Sequence, residues 1–255
     1  MMDSIPITDF MPPPGQRLGL VPRDFQAFPV GYLGPVAEPF SMPLIPENEW
    51  EGRIAEQEAK QSSLQHVFHR AGAKSLDQNG QGYCWAYSST SATMLTRLKE
   101  GQPYVRLSGH HPAYIIKGGR DQGGWNSQSL KFIAEKGVAS VEFWPEKSMT
   151  SHDKPEMWAN AIRHRITEWY DLSDRGDEVR AQLATCLLNN IACPVDFNWW
   201  GHSVCAVRLI KKDPFTIRIL NSWGAWSDQG FGDLVGSKAI PNGACAPRVT
   251  RFSDV

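Results

Sequence analysis

The apolar positions divide the chain into three stretches with different rules. The first 46 residues follow no period. Ten of the 18 prolines lie there, from Pro6 to Pro46, and proline removes a backbone donor and holds the chain extended. Phe10, Leu18, Phe25, Phe28, Tyr32, Leu33 and Phe40 are scattered among them, more aromatic surface than a disordered linker carries. The pattern predicts an extended arm whose aromatics anchor on its own globular domain or on a neighbouring chain. From 47 to 68 the text turns helical, with Trp50, Ile54, Leu64, Val67 and Phe68 on one face and charge elsewhere. Further helices are predicted over 84–100, closed by Gly101, over 127–136, closed by Gly137, and over 177–190, with Val179, Leu183, Leu187 and Leu188 as its apolar face. After Pro194 the period shortens. "PVDFNWW", "HSVCAVRLI", "FTIRILNSW" and "GFGDLV" are rich in β-branched and aromatic residues, and "KKDP" supplies a hairpin-like turn. Helices first and antiparallel strands later predict an α+β fold with two lobes and no internal repeat.

At 255 residues the chain is long enough for one large domain or two lobes sharing a core. Its 26 basic and 27 acidic side chains nearly cancel, which argues against a nucleic-acid partner held by bulk charge. No block of like charge suggests a membrane-surface segment. The N-terminal "MMDSIPITDFMPPP" lacks the basic start and apolar run of a secretory signal, and no apolar run approaches membrane-spanning length. The five cysteines, odd in number and irregularly spaced, are then expected to be reduced thiols in a cytoplasmic product.

One of the five stands apart. In "SLDQNGQGYCWAYSSTSATML" (75–95), Cys84 sits between two aromatics, after a glycine-rich loop and where a helix begins. A helix N-terminus and an imidazolium both stabilise a thiolate. His202 opens an apolar strand and Asn221 follows in "LNSWGAWSDQGFGDL". An asparagine oxygen holds an imidazole in orientation, and an indole such as Trp223 keeps water from that bond. The side-chain amide of Gln78 and the backbone N–H of Cys84 are candidate donors to a developing oxyanion.

These pieces resemble the papain-like cysteine protease family. "QNGQGYCWAYS" is similar to its nucleophile segment, "GHSVCAV" to its histidine strand, and "NSWGAWSDQGFG" to its asparagine motif. The middle, "LSGHHPAYIIKGGRDQGGWNSQSLKFIAEKGVAS", tracks the family as well, so the resemblance runs from about residue 70 to 235 in the family's chain order. It implies a helical left lobe and an antiparallel β-rich right lobe in a catalytic domain (70–255), which the extended proline-rich N-terminal arm (1–46) and a linking helix (47–69) precede. It also implies Cys84 as nucleophile, His202 as base and then acid, Asn221 as orienting group and Gln78 in the oxyanion hole. Trp223 would shield the His–Asn bond, Gly123 and Gly124 would pair with an extended peptide, and Trp226 matches the motif's second tryptophan. The implied activity is hydrolysis of peptide or amide bonds in a peptide or protein substrate, without metal or organic cofactor.

Departures from the family bear on location and specificity. Gln81 replaces the cysteine of a family disulfide, in keeping with a reducing compartment. The segment before His202 is short where it normally shapes a specificity pocket, and Gly201 replaces a polar residue. The proline-rich leader lacks the long helical pro-segment of secreted relatives. Cys186, Cys193, Cys205 and Cys245 are expected to be packing thiols, His152 and His164 to be solvated, and His110 and His111 to lack the companions a metal needs. Trp199 and Trp200 suit the core and the cleft equally. Two other readings remain: a phage-particle-associated assembly protein whose arm docks on neighbours, and a transferase in which an amine resolves the thioacyl-enzyme.

Overall fold

The computed structural model describes residues 4–250; residues 1–3 and 251–255, at the ends of the predicted arm and domain, lie outside it. Seven helices are used below: α1 (Trp50–Ala59), α2 (Leu64–Arg70), α3 (Cys84–Lys99), α4 (His110–Lys117), α5 (Asn126–Lys136), α6 (Pro155–Ala161) and α7 (Gly176–Leu188). Seven strands, β1 (Ala37–Pro39), β2 (Ile166–Asp171), β3 (Cys193–Phe197), β4 (His202–Lys211), β5 (Thr216–Leu220), β6 (Phe231–Val235) and β7 (Gly243–Thr250), form one sheet in the order β1-β2-β7-β3-β4-β5-β6. β1 runs parallel to β2 and every other pairing is antiparallel. No helix among the described residues is long and apolar enough to cross a membrane.

The β-rich lobe buries the inward positions of β3, β4 and β5 (Val195, Phe197, Val204, Leu209, Ile217, Ile219) against Val179, Leu183 and Leu187 of α7. The helical lobe closes around α3, with Trp85 and Tyr87 against Leu130 and Ile133 of α5 and Trp169 of β2. Nearly all of α3 is buried although it carries six hydroxyl residues besides Tyr87. Such groups are tolerated only when bonded. Ser88, Ser89, Thr90, Thr93 and Thr96 return their hydroxyls to carbonyls three or four residues back, at 2.8–3.2 Å.

The helix expected over 47–68 is two helices. Gln61 takes a left-handed φ of 47° and ends α1, and Ser63 opens α2 with its hydroxyl on His66 Nδ1 at 2.8 Å. The strand read through "PVDFNWW" stops at Phe197, and residues 198–201 form a turn. Gly201 completes that turn at φ 65°, a conformation L side chains rarely adopt, and delivers His202 into β4.

Residues 4–46 lie on their own body. Ile5 exchanges bonds with Asp233 of β6 (N to Oδ2 2.9 Å, Asp233 N to Ile5 O 2.7 Å). Phe10 sets its ring edge-on to Trp199 and Trp200 at 5.1 and 5.4 Å. The chain then crosses between the lobes and returns through Phe28, packed on Trp125, into β1. Of the two anchorages the aromatics allowed, the structure shows the intramolecular one.

Candidate active site

Cys84 is the first residue of α3, and no side chain caps that end. The Trp85 amide of that first turn is therefore available to the sulfur, towards which the backbone N–H groups of Ser203 and Gly19 also point. Across the lobe boundary, the register Phe197↔His202 and Asp196↔Ser203 fixes the imidazole at the start of β4. Asn221 follows directly on β5. Its Oδ1 lies 2.8 Å from His202 Nε2 and also accepts the Ser222 N–H at 2.8 Å. That oxygen can only accept, so His202 carries its proton on Nε2 and keeps the Nδ1 lone pair. Nδ1 has no hydrogen-bond partner among the described residues. Trp223 lies nearly flat on the imidazole, centroids 4.5 Å apart at 26°, and Trp200 meets it edge-on at 4.8 Å. Trp226 stands edge-on to Trp223 at 5.7 Å, one shell further out.

Gln78 is held by Ser222 on both sides, its Oε1 accepting the Ser222 hydroxyl at 2.7 Å and its N–H donating to the Ser222 carbonyl at 2.9 Å. Its side-chain amide donates to Gln81 O at 2.7 Å and to Arg17 O at 2.8 Å. The second acceptor belongs to the arm. Residues 16–21 form a strap over the cleft: Gln16 Nε2 donates to Asp77 at 2.9 Å, Gly124 N–H to Gly19 O at 3.1 Å, Val21 N–H to Gly124 O at 2.9 Å, and Leu20 N–H to Gly201 O at 3.1 Å. Leu20 and Gly124 pair in parallel. Gly19 is pressed so closely on Gly82 that a Cβ there would run into the Gly82 carbonyl. The proline-rich arm thus lies across Cys84.

Covered in this way, Cys84 and His202 are both fully buried. Burial pushes the Cys84 thiol up to about 12, despite the three N–H groups at its sulfur, and pulls the imidazole down to about 4, despite its bond to Asn221. The resting chain thus holds a neutral thiol and a neutral imidazole. All eight residues singled out by sequence sit at this one cleft, six in the inner ring, with Gly123 beside Gly124 under Val21 and Trp226 outermost.

Sequence reasoning missed Asp196. Lying between inward Val195 and Phe197 on β3, it turns to the opposite face and accepts the Ser203 hydroxyl at 2.5 Å and the first amide of α5, Asn126 N–H, at 3.1 Å. Ser203 also bonds Ser88 of α3 at 2.9 Å. The signal was a lone charge inside an apolar strand. Burial raises the carboxyl to about 7, more than these bonds lower it. The folded chain therefore keeps this proton up to about pH 7, whereas an unfolded aspartate releases it near pH ~4. Between those values the folded state binds more protons, and its stability falls as pH rises. Comparing Asp196→Asn with the parent from pH 4 to 8, the parent's Tm is expected to drop relative to the variant up to about pH 7 and then run level with it. A constant offset would show that Asp196 ionises normally.

His164 is buried with Nδ1 3.0 Å from Val138 O, not solvated. His110 and His111 are buried too, with Nδ1 against the Tyr87 hydroxyl and the Ala139 N–H respectively, and burial lowers them to about 4 and about 3. No group of three His, Cys, Asp or Glu among the described residues is placed to hold a metal ion. All five cysteines are free and buried.

No family model matches the chain, and no curated protein matches its sequence. Solved structures do resemble it. A digestive procathepsin L 3 from Tenebrio molitor larval midgut superposes with a TM-score of 0.63 at 16% identity, over 91% of this chain and 84% of its own. Xylellain, a cysteine protease from Xylella fastidiosa, gives 0.62 at 17%, over 93% and 97%. The procathepsin B S9 of Trypanosoma congolense gives 0.59 at 14%, over 86% and 84%. Likeness at such identity speaks for architecture alone: the chain has the α+β, papain-like fold.

Proposed function

We propose that the chain is a cysteine peptidase held latent by its own N-terminal strap. The observation that carries the reading is the Arg17 carbonyl in the Gln78 amide, beside a cysteine at a helix N-terminus and an asparagine-held histidine. A peptide carbonyl already lies on a side-chain donor where a developing oxyanion would need one. The cysteine proteases among the structural neighbours are in keeping with it.

In the open state, His202 Nδ1 takes the Cys84 thiol proton and the thiolate attacks the substrate carbonyl. The Gln78 amide and the Cys84 N–H hold the oxyanion, and imidazolium protonates the leaving amine. Water, deprotonated by the same nitrogen, then releases the acid from the thioacyl-enzyme. The strap escapes this chemistry because Gly19 presents an N–H, not a carbonyl carbon, to the sulfur. The assembly reading needs an arm available to neighbours. Here the arm spends its bonds on its own body, from Ile5 at β6 to β1.

The test is a vinyl sulfone with peptide mapping, followed by hydrolysis of a mixed peptide library. Cys84 should be the residue modified among the five thiols, slowly in the resting chain, with acid and amine as products. Modification of another cysteine with Cys84 untouched would sink the assignment. An amide formed with an added amine would favour the transferase.

A further inference from the structure

Four residues beyond Gly19, the strap inserts Arg23 into a closed site. The side chain is only 3% exposed, and all three guanidinium nitrogens are engaged. Nη1 and Nη2 donate to the two oxygens of Asp171, each at 2.8 Å, Nε donates to Phe28 O at 2.9 Å, and Nη2 also donates to Pro29 O at 2.7 Å. The face of Tyr32 lies 4.9 Å from Cζ, with the strap's own Phe25 at 4.3 Å. This is a fork–fork ion pair completed by carbonyls and an aromatic wall, the geometry that separates guanidinium from ammonium.

Apart from Phe25, the walls come from β2 and from the part of the arm that follows the strap. Asp171 closes β2. Phe28, Pro29 and Tyr32 lie in the segment leading into β1, held by β1–β2 pairing, by Phe28 on Trp125 at 5.3 Å and by the Gly31 N–H on Asp171 at 2.9 Å. Arg23 is the occupant, and Asp171 of β2 together with the arm's own run into β1 supplies the cage. Withdrawing the strap would leave Asp171 buried with a charge that the Gly31 amide and the Cys245 thiol, 3.8 Å away, do not neutralise. What the vacated site lacks is a cation.

We propose that this cage is a substrate subsite for arginine, lying three or four residues to the amino side of the bond that is cut. The inference rests on the peptidase reading for the word substrate, and on geometry for the cage. Four extended residues span at most about 14 Å, which sets the distance from Cys84. The direction follows from His202, which must meet the leaving amine. Trp200 and Trp223 on its ring belong to the end of the cleft where Phe10 docks, so the acyl side runs past Gly124 towards Asp171.

The test uses the full chain carrying Gly19→Val, Arg23→Gln and Cys84→Ala, which displaces the strap, vacates the cage and prevents turnover. The probes are fluorescein-labelled glycine–alanine octapeptide amides with one arginine at each position in turn, and their glutamine and lysine counterparts. At the matching position arginine should bind at least about tenfold tighter than glutamine, with lysine between them. Adding Asp171→Asn should bring the ratio to about one. Should that variant not fold, Tyr32→Ala removes the aromatic wall alone and should lower the ratio severalfold. Equal affinity for the arginine and glutamine peptides at every position overturns the proposal. Restoring Cys84 and following cleavage of the same peptides reports separately on the peptidase: arginine-dependent binding without cleavage would sink that reading and leave the cage standing.

Discussion

A single substitution, Gly19→Val, is expected to open the resting chain, raising both the rate at which a vinyl sulfone modifies Cys84 and the rate of peptide hydrolysis. At Gly19 the strap touches the loop before α3 backbone to backbone, and a Cβ would run into the Gly82 carbonyl. Neither side can give. Gly82 is held by its N–H on Asp121 Oδ1 at 2.7 Å, and Gly19 by its carbonyl on the Gly124 amide. Overpacking of this kind costs about 1–3 kcal/mol, which shifts the ratio of open to closed forms by about 5- to 150-fold. The fold should survive, because the strap is pinned at both ends by contacts the change does not touch: Ile5 on Asp233, itself paired with Arg218 at 2.7 Å, and Arg23 on Asp171. The readouts are labelling kinetics and circular dichroism on the full chain. An unchanged labelling rate in a folded variant would mean that the strap is not what closes the site.

That contact also shows what the sequence could and could not disclose. Cys84, His202 and Asn221 could be singled out as candidates because the chemistry expected of them is carried by side-chain type, and a thiol, an imidazole and an amide are informative in chain order. Over the site itself the strap acts mainly through backbone groups, the Arg17 and Gly19 carbonyls and the Gly19 and Val21 amides, which every residue possesses. Proline content foretold that residues 1–46 would avoid helix, and aromatic content that they would anchor. Neither says over which groove. The helices at 84–100 and 127–136 announced themselves by period and closing glycine, and they appear within a residue or so of the expected bounds. Strand β7 did not, because "GACAPRVT" reads as a loop. It holds within the sheet because β3 pairs with it only at Gly243 and Ala244, leaving Pro247 beyond that pairing, where a missing donor costs nothing on that side. β2, "ITEWYD", carried β-branched and aromatic residues that could have been read as a strand. Arg23 and Asp171 lie 148 residues apart, and nothing in either local stretch names the other.

The second large effect separates the thiols. In the Gly19→Val chain, Cys84→Ala is expected to bring turnover to the uncatalysed background, since loss of the nucleophile from such a unit costs roughly a million-fold in kcat. Its effect on stability should be small and of either sign. The change removes a buried thiol but leaves the N–H groups of Ser203, Gly19 and Trp85 without their sulfur acceptor, a balance worth about 1 kcal/mol. Cys205→Ala should behave in the opposite way. On β4 it packs with Leu64 and Phe68 of α2, Ala92 and Leu95 of α3 and Leu220 of β5, with no part in the cleft. Trimming it should cost about 1–2 kcal/mol of stability and leave the turnover of the folded fraction intact. Both cysteines are fully buried in the resting chain, so burial cannot tell the reactive thiol from the inert one. Position can: Cys84 stands at an uncapped helix start facing the lobe boundary, and Cys205 lies three residues along its strand from His202, on the opposite face. Retained turnover in Cys84→Ala, or its loss in a folded Cys205→Ala, would reverse that assignment.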